Sequence, residues 1–161
     1  MQYSIREKSS LLSRELTIDD QRGHLAFRVH GPVVRVRDEL RLEDANGVEQ
    51  AWIKDLVLSD GSTYEIYRGG TRYADVKRIL DGDLLAGYDI VVSEGETLRA
   101  RGDMRGRNFT IMAERQLAAR VQRRHGDTLE VNIEHADDVL LLAGVVAINA
   151  MLDTWAKAHP R

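Results

Sequence analysis

Two hydrophobic patterns divide this chain. Up to residue 134 the apolar positions alternate with polar ones, and from Val139 to Leu152 they run on almost without a break. The alternation recurs in five stretches: LTIDDQRGHLAFRV (16–29), LRLEDANGVEQAWI (40–53), YEIYRGGTRYADV (64–76), YDIVVSEGETLRA (88–100) and FTIMAERQLAARV (109–121). Each opens apolar-x-apolar, as with Leu16 and Ile18 or Tyr64 and Ile66. Each then runs through a polar turn and resumes with an apolar residue beside a small one. Gly23, Gly47, Gly69-Gly70 and Gly95 mark the first four turns at a spacing of roughly 22 to 25 residues, and Glu114-Arg115 stands in the fifth. A period of two turns one face of a strand to a core and the other to water. The repeat has the length of a strand-turn-strand unit with its connector. Asn46-Gly47, Asp60-Gly61 and Asp81-Gly82 add turn dipeptides, because Asn, Asp and Gly accept positive φ. With YSIREK (3–8) and DTLEVNI (127–133), the pattern predicts about a dozen strands over residues 1–134.

The continuous run predicts a helix over 137–156. Asp137 or Asp138 is placed to cap it, with both carboxylates at the positive end of its dipole. Lys157 and His159 sit near the other end, and Pro160 lies beyond the last turn. A membrane span needs about 20 apolar residues. Val139–Leu152 falls short of that and is closed by acids at both ends, so the chain is not expected to be transmembrane. The apolar residues go all the way round the helix, and a helix apolar on every face is enclosed on every face. Ala143, Gly144, Ala147 and Ala150 keep it thin. A dozen antiparallel strands with one apolar face each close into a barrel, which leaves no exposed edge. Such a barrel is too wide for its own side chains to fill, and a central helix fills it. The expected fold is mainly β: one domain, residues 1–161, a closed antiparallel barrel around a hydrophobic C-terminal helix.

These segments, in this order, resemble the LURP-one-related family. The resemblance is carried by YSIREK, by TIDDQRGHLAFRVHGPVVRVRDELRLEDANGVEQAWIKD, by YEIYRGG and by the terminal VLLLAGVVAINAML. That family belongs to the Tubby C-terminal-like superfamily, which also holds the phospholipid scramblases. The resemblance implies a twelve-stranded barrel around a central C-terminal helix. Tubby domains bind phosphoinositide head groups through basic residues, and scramblases are linked to lipid movement and calcium. No Tubby lipid-binding position maps onto a numbered residue here. LDGDLLAG (80–87) lacks the ligand series of a calcium loop.

Composition narrows the function classes. The 161 residues carry a net charge of -3 and no cysteine, so disulfides and thiol chemistry are excluded. The start, MQYSIREKSS, has no apolar h-region and predicts no signal peptide, so a cytoplasmic protein, peripheral at a membrane, is expected. The strongest local charge is a basic run: Arg99, Arg101, Arg105, Arg107, Arg115, Arg120, Arg123 and Arg124, opposed by Asp103 and Glu114. Arg99 and Arg101 share a strand face by period two, and the same spacing relates Arg105 and Arg107. Guanidinium groups on neighbouring strands clamp phosphate bidentately. Arg99, Arg101, Arg105, Arg107, Arg120, Arg123 and Arg124 are therefore the candidate anion-binding residues, for phosphoinositide or another anionic phospholipid or phosphate group. The plain alternative is a solvated outer face paired with acids such as Glu130 and Glu134. A second patch, Arg68, Arg72, Lys77 and Arg78, has Glu65 and Asp75 interleaved.

Other chemistry finds less support. Single-stranded nucleic acid calls for aromatics among the basic residues. Only Phe109 lies in the run, so nucleic acid is not expected. The tripeptide RGD (101–103) reads as a turn. The five histidines have no ligand spacing, so no metal and no cofactor is expected. No G-x-S-x-G, P-loop or G-x-G-x-x-G is present, so no enzyme is expected. Trp155 is expected to plug the barrel mouth and Trp52 to sit in the wall. Asn149, polar in an enclosed helix, requires a partner, expected to be a barrel backbone group or a water. The functional expectation is a non-enzymatic binding module for an anionic group, with a protein-interaction scaffold as the alternative.

Overall fold

The computed structural model describes residues 1–9, 14–31, 39–56 and 60–160. Residues 32–38, part of the stretch that carries the family resemblance, lie outside the described residues. The strands are β1 (Gln2–Ser9), β2 (Arg14–Asp20), β3 (Leu25–Gly31), β4 (Glu39–Asp44), β5 (Glu49–Asp55) and β6 (Thr63–Arg68), then β7 (Thr71–Asp81), β8 (Leu84–Val92), β9 (Thr97–Asp103), β10 (Asn108–Ala113), β11 (Gln116–Arg123) and β12 (Leu129–Ile133). Each pairs antiparallel with its neighbours in sequence, and β1 pairs with β12 to close the barrel. The helix α1 (Asp138–Ala158) follows β12.

Alternation and turn chemistry make these elements. In β12, Leu129, Val131 and Ile133 are buried while Glu130 and Asn132 are half-buried on the other face. The β2–β3 and β4–β5 hairpins turn by one device. The Asp20 carboxylate accepts from the N–H groups of Arg22 (2.9 Å) and His24 (3.0 Å), and Gly23 takes a φ of 81°. The Asp44 carboxylate likewise accepts from Asn46 (2.9 Å) and Val48 (3.0 Å), with Gly47 at 82°. An Asp side chain that hydrogen-bonds the backbone two residues on nucleates such turns. In the fifth hairpin, without a glycine, Glu114 itself takes the left-handed conformation at 52°.

The helix fills the lumen. Leu140 to Ile148 are buried without interruption, as are Ala150, Met151, Leu152 and Trp155. Each fully buried Leu or Ile contributes about 2 kcal/mol by its removal from water. The fit is close at Gly144, where a Cβ would lie 2.6 Å from Ile90 Cδ1. By length and composition the helix could cross a bilayer, but its apolar surface is spent inside the barrel.

Its start is clamped. Asp137 caps it, accepting from the N–H groups of Val139 (2.8 Å) and Leu140 (3.3 Å). Arg68, from the β6–β7 hairpin, donates to Asp137 Oδ2 at 2.6 Å. The Tyr3 hydroxyl donates to Asp138 Oδ2 at 2.7 Å, so β1 holds the helix as well. At the far end the His159 N–H donates to the Trp155 carbonyl. Trp155 is 7% exposed, stacks on the His159 ring at 3.6 Å and closes the barrel mouth.

Burial pushes the Asp137 carboxyl up, but the hydrogen bonds from Arg68 and from the Leu140 N–H outweigh it, and the group titrates below the ordinary carboxylate range. A carboxyl depressed in the folded state stabilises the fold above its unfolded-state pKa, and loses that contribution as pH falls through the folded value. Asp137→Ala is therefore expected to lower stability at pH 7 by about 1–2 kcal/mol. Urea denaturation should show the gap from wild type narrowing below about pH 4. A gap that stays constant with pH would contradict the charged clamp.

Candidate anion-binding face

The seven candidate arginines fall into three environments. Arg99 stands between buried Leu98 and Ala100 and points outward with Arg101, as the period-two spacing predicts. Arg101 lies down on the wall. Its Nη2 donates to Asp89 Oδ1 at 2.9 Å, and its Nη1 to the carbonyls of Tyr88 (3.1 Å) and Ala100 (3.0 Å). Gly87 leaves the room, since a Cβ there would come within 2.9 Å of Arg101 Nη1 and 2.2 Å of the Ala100 carbonyl. Arg120 is exposed on β11. Arg123 pairs with Asp127 at 2.9 Å at the barrel rim. Arg124 bonds Glu130 at 3.2 Å, and that hydrogen bond holds the Glu130 carboxyl below its ordinary range.

Arg105 and Arg107 do not share a strand face. Both lie in the connection between β9 and β10, because β9 ends at Asp103 and β10 begins at Asn108. Arg105 donates to the His159 carbonyl at 3.0 Å, a cation at the negative end of α1. Arg107 turns inward. Its backbone takes a φ of 58°, and its side chain is only 13% exposed. The guanidinium donates to the Asn149 side-chain and main-chain oxygens and to Asp153 Oδ1, the last at 2.6 Å. The partner that the structure gives Asn149 is thus a guanidinium, in place of the expected backbone group or water. A signal for it stood in the sequence: Asn149 and Asp153 are one helical turn apart and so share a face. Of the seven, only Arg99 and Arg120 have neither an ion pair nor a side-chain hydrogen bond among the described residues.

Strand register reveals an arrangement that the linear sequence hides. On β9, β10 and β11, Arg101, Thr110 and Arg120 stand directly opposite one another, under a shallow groove of about 250 Å3. Across the closure, Arg6, Thr17 and Arg28 make the same row on β1, β2 and β3. The ring order β9-β10-β11-β12-β1-β2-β3 sets both rows on one arc of the wall. Outward cations on this arc are Arg6, Lys8, Arg28, Arg99, Arg101 and Arg120, against the carboxylates Glu15, Asp19, Asp103 and Glu130. The opposite arc, β4 to β8, carries Glu39, Glu43, Glu65, Asp75 and Asp89 together with Arg41, Lys54, Arg72 and Lys77. There Arg72 is tied to both Glu65 and Asp75, and Arg41 to Glu49. Trp52 lies on this outer wall, with its ring centroid 5.7 Å from that of Tyr67 and the Arg41 and Lys54 cations 4.8 and 5.0 Å from the indole. Among the described residues no group of His, Asp and Glu side chains is arranged to hold a metal ion.

A closed twelve-stranded barrel filled by its own C-terminal helix defines the class: a barrel domain of the Tubby-like fold. The chain belongs to the LURP-one-related family, whose model matches residues 1–149. Among solved structures it is similar to a protein of Arabidopsis thaliana determined by X-ray crystallography. The TM-score is 0.65 at 19% identity, over 96% of this chain and 91% of that one, a likeness of fold. No curated protein matches the chain.

Arg107 is expected to be a structural cation. Arg107→Met removes the donor to the Asn149 amide oxygen and one partner of Asp153, and should cost about 1–2 kcal/mol in urea denaturation. Adding Asn149→Leu should recover part of that loss. A destabilisation below about 0.5 kcal/mol, the level of an ordinary surface change, would contradict the role.

Proposed function

We propose that this protein is a non-enzymatic binding module whose basic arc, β9 through β12 and β1 to β3, holds an anionic partner. The partner that suits it best is an anionic phospholipid head group at the cytoplasmic face of a membrane. One observation carries the reading: outward cations outnumber outward carboxylates on this arc and not on the other, although the net charge is only -3. A local excess of cations gives the barrel a face that an anionic surface attracts. Arg99 and Arg120, free of acidic partners among the described residues, meet such a surface without breaking any internal bond among them. Arg101, already tied to Asp89, serves as a positioned hydrogen-bond donor.

A protein-interaction scaffold is the second reading, favoured by the Trp52–Tyr67 pair with its flanking Arg41 and Lys54. Trp, Tyr and Arg are the residue types that anchor protein interfaces. This patch lies on the opposite arc, so the two readings use different walls.

Vesicle flotation separates them. Wild-type protein should float with vesicles containing phosphatidylserine or phosphoinositide and stay down with neutral phosphatidylcholine, and added salt should release it. At about 1 kcal/mol per cation near an anionic surface, Arg99→Ala with Arg120→Ala should weaken binding roughly thirtyfold. Equal behaviour on anionic and neutral vesicles at low salt would remove the lipid reading.

A further inference from the structure

The β1–β3 end of the basic arc carries a second groove, larger than the one over Arg101 and Arg120. Its volume is about 690 Å3, and Arg6, Lys8, Glu15, Thr17, Arg28 and His30 are among the residues that line it. Arg6 on β1, Thr17 on β2 and Arg28 on β3 are paired in register, and Lys8, Glu15 and His30 make the next row. Neighbouring strands lie about 4.8 Å apart, so the two arginines rise from backbone positions about 10 Å apart. Between them the short Thr17 side chain, 7% exposed, forms a low floor.

The partners of these groups are informative. Arg28 Nε sits 3.4 Å from Glu15, and His30 Nε2 sits 3.0 Å from Glu43, so these two side chains are held in place. Arg6, Lys8 and the Thr17 hydroxyl have no partner among the described residues. The groove thus presents one braced guanidinium, one free guanidinium, a free ammonium and a hydroxyl to the same space. That set matches the three terminal oxygens and the double charge of a phosphate monoester better than the two free oxygens and single charge of a phosphodiester. Glu15 and Asp19, which also line the groove, disfavour a second phosphate and are placed to accept from hydroxyl groups beside the first.

We propose that this groove binds the phosphate monoester of a hydroxyl-bearing molecule, with Arg6, Arg28 and Thr17 on the phosphate oxygens. The inference rests on the anion-binding reading only for the sign of the ligand. The monoester has two sources, a soluble phosphorylated polyol or a lipid such as phosphatidic acid, and both enter the test.

Amide shifts of the full chain would be followed by NMR in a titration with glycerol 3-phosphate, with glycerophosphocholine as the diester control. A second arm compares flotation with vesicles of phosphatidylcholine alone, with phosphatidic acid, and with phosphatidylserine. Saturable shifts centred on β1–β3 with the monoester and not the diester support a soluble source. Flotation preferring phosphatidic acid over phosphatidylserine supports a lipid source. In either arm Thr17→Val, close to isosteric and suited to a strand, should weaken binding about tenfold. Arg6→Gln, on the outer wall, should weaken it at least as much, and Thr71→Val, on β7 outside the basic arc, should bind as wild type. Monoester binding that leaves Thr17→Val and Arg6→Gln at wild-type affinity would overturn the proposal, as would no response to a monoester in either arm. Equal flotation on anionic and neutral vesicles removes the membrane reading alone if Thr17-dependent shifts with glycerol 3-phosphate persist.

Discussion

An α-helix with apolar side chains on every face has to be surrounded, and the rest of this structure follows from how one short chain does that. A sheet can surround a helix only by closing, and closing brings the first strand against the last. The Met1 amino group donates to the Ile133 carbonyl at 2.9 Å where the two ends of the sheet meet. The helix that follows β12 therefore enters beneath β1, and Tyr3 and Arg68 meet its first turn from opposite sides of the mouth. The small residues along the helix are the other half of the same constraint. The lumen admits a thin cylinder, and Gly144 against Ile90 shows how little room remains.

A lumen filled by apolar side chains pushes polar chemistry to its ends and to its outer wall. Inside, the polar groups collect at the C-terminal end of the helix, where Arg107 meets Asn149 and Asp153 and the Arg78 guanidinium lies over the Trp155 ring. Tyr88 is buried nearby with no hydrogen-bond partner among the described residues, and burial raises its hydroxyl pKa well above the ordinary phenol range. Outside, alternate positions are free to carry charge without affecting the core. Register then decides which charges become neighbours, and it sets two Arg-Thr-Arg rows on one arc.

The fold was legible in the sequence because both of its periods are strong and local. Leu16-x-Ile18, Tyr64-x-Ile66 and Phe109-x-Ile111 state a strand face within three residues, and Val139–Leu152 states enclosure within four turns. The candidate site was less legible. Runs along the sequence bring Arg99 and Arg101 to one face, but Arg105 and Arg107 lie in a turn, where backbone conformation and not alternation aims the side chain. The row that joins Arg6 to Arg28 spans residues far apart in sequence, and no pattern along a single strand contains it. Only pairing register and closure of the barrel bring such residues together, and both are properties of the whole sheet.

Native-state hydrogen exchange tests the enclosure of the helix most directly. If the closed barrel surrounds α1, the amides of Leu141 to Leu152 exchange only when the whole domain unfolds. Their opening free energies and denaturant dependence then match those of the slowest amides in β6, β8 and β11. Faster exchange of that helical segment, with little dependence on denaturant while the strands stay protected, would mean that the helix leaves the barrel by itself, and would contradict the account.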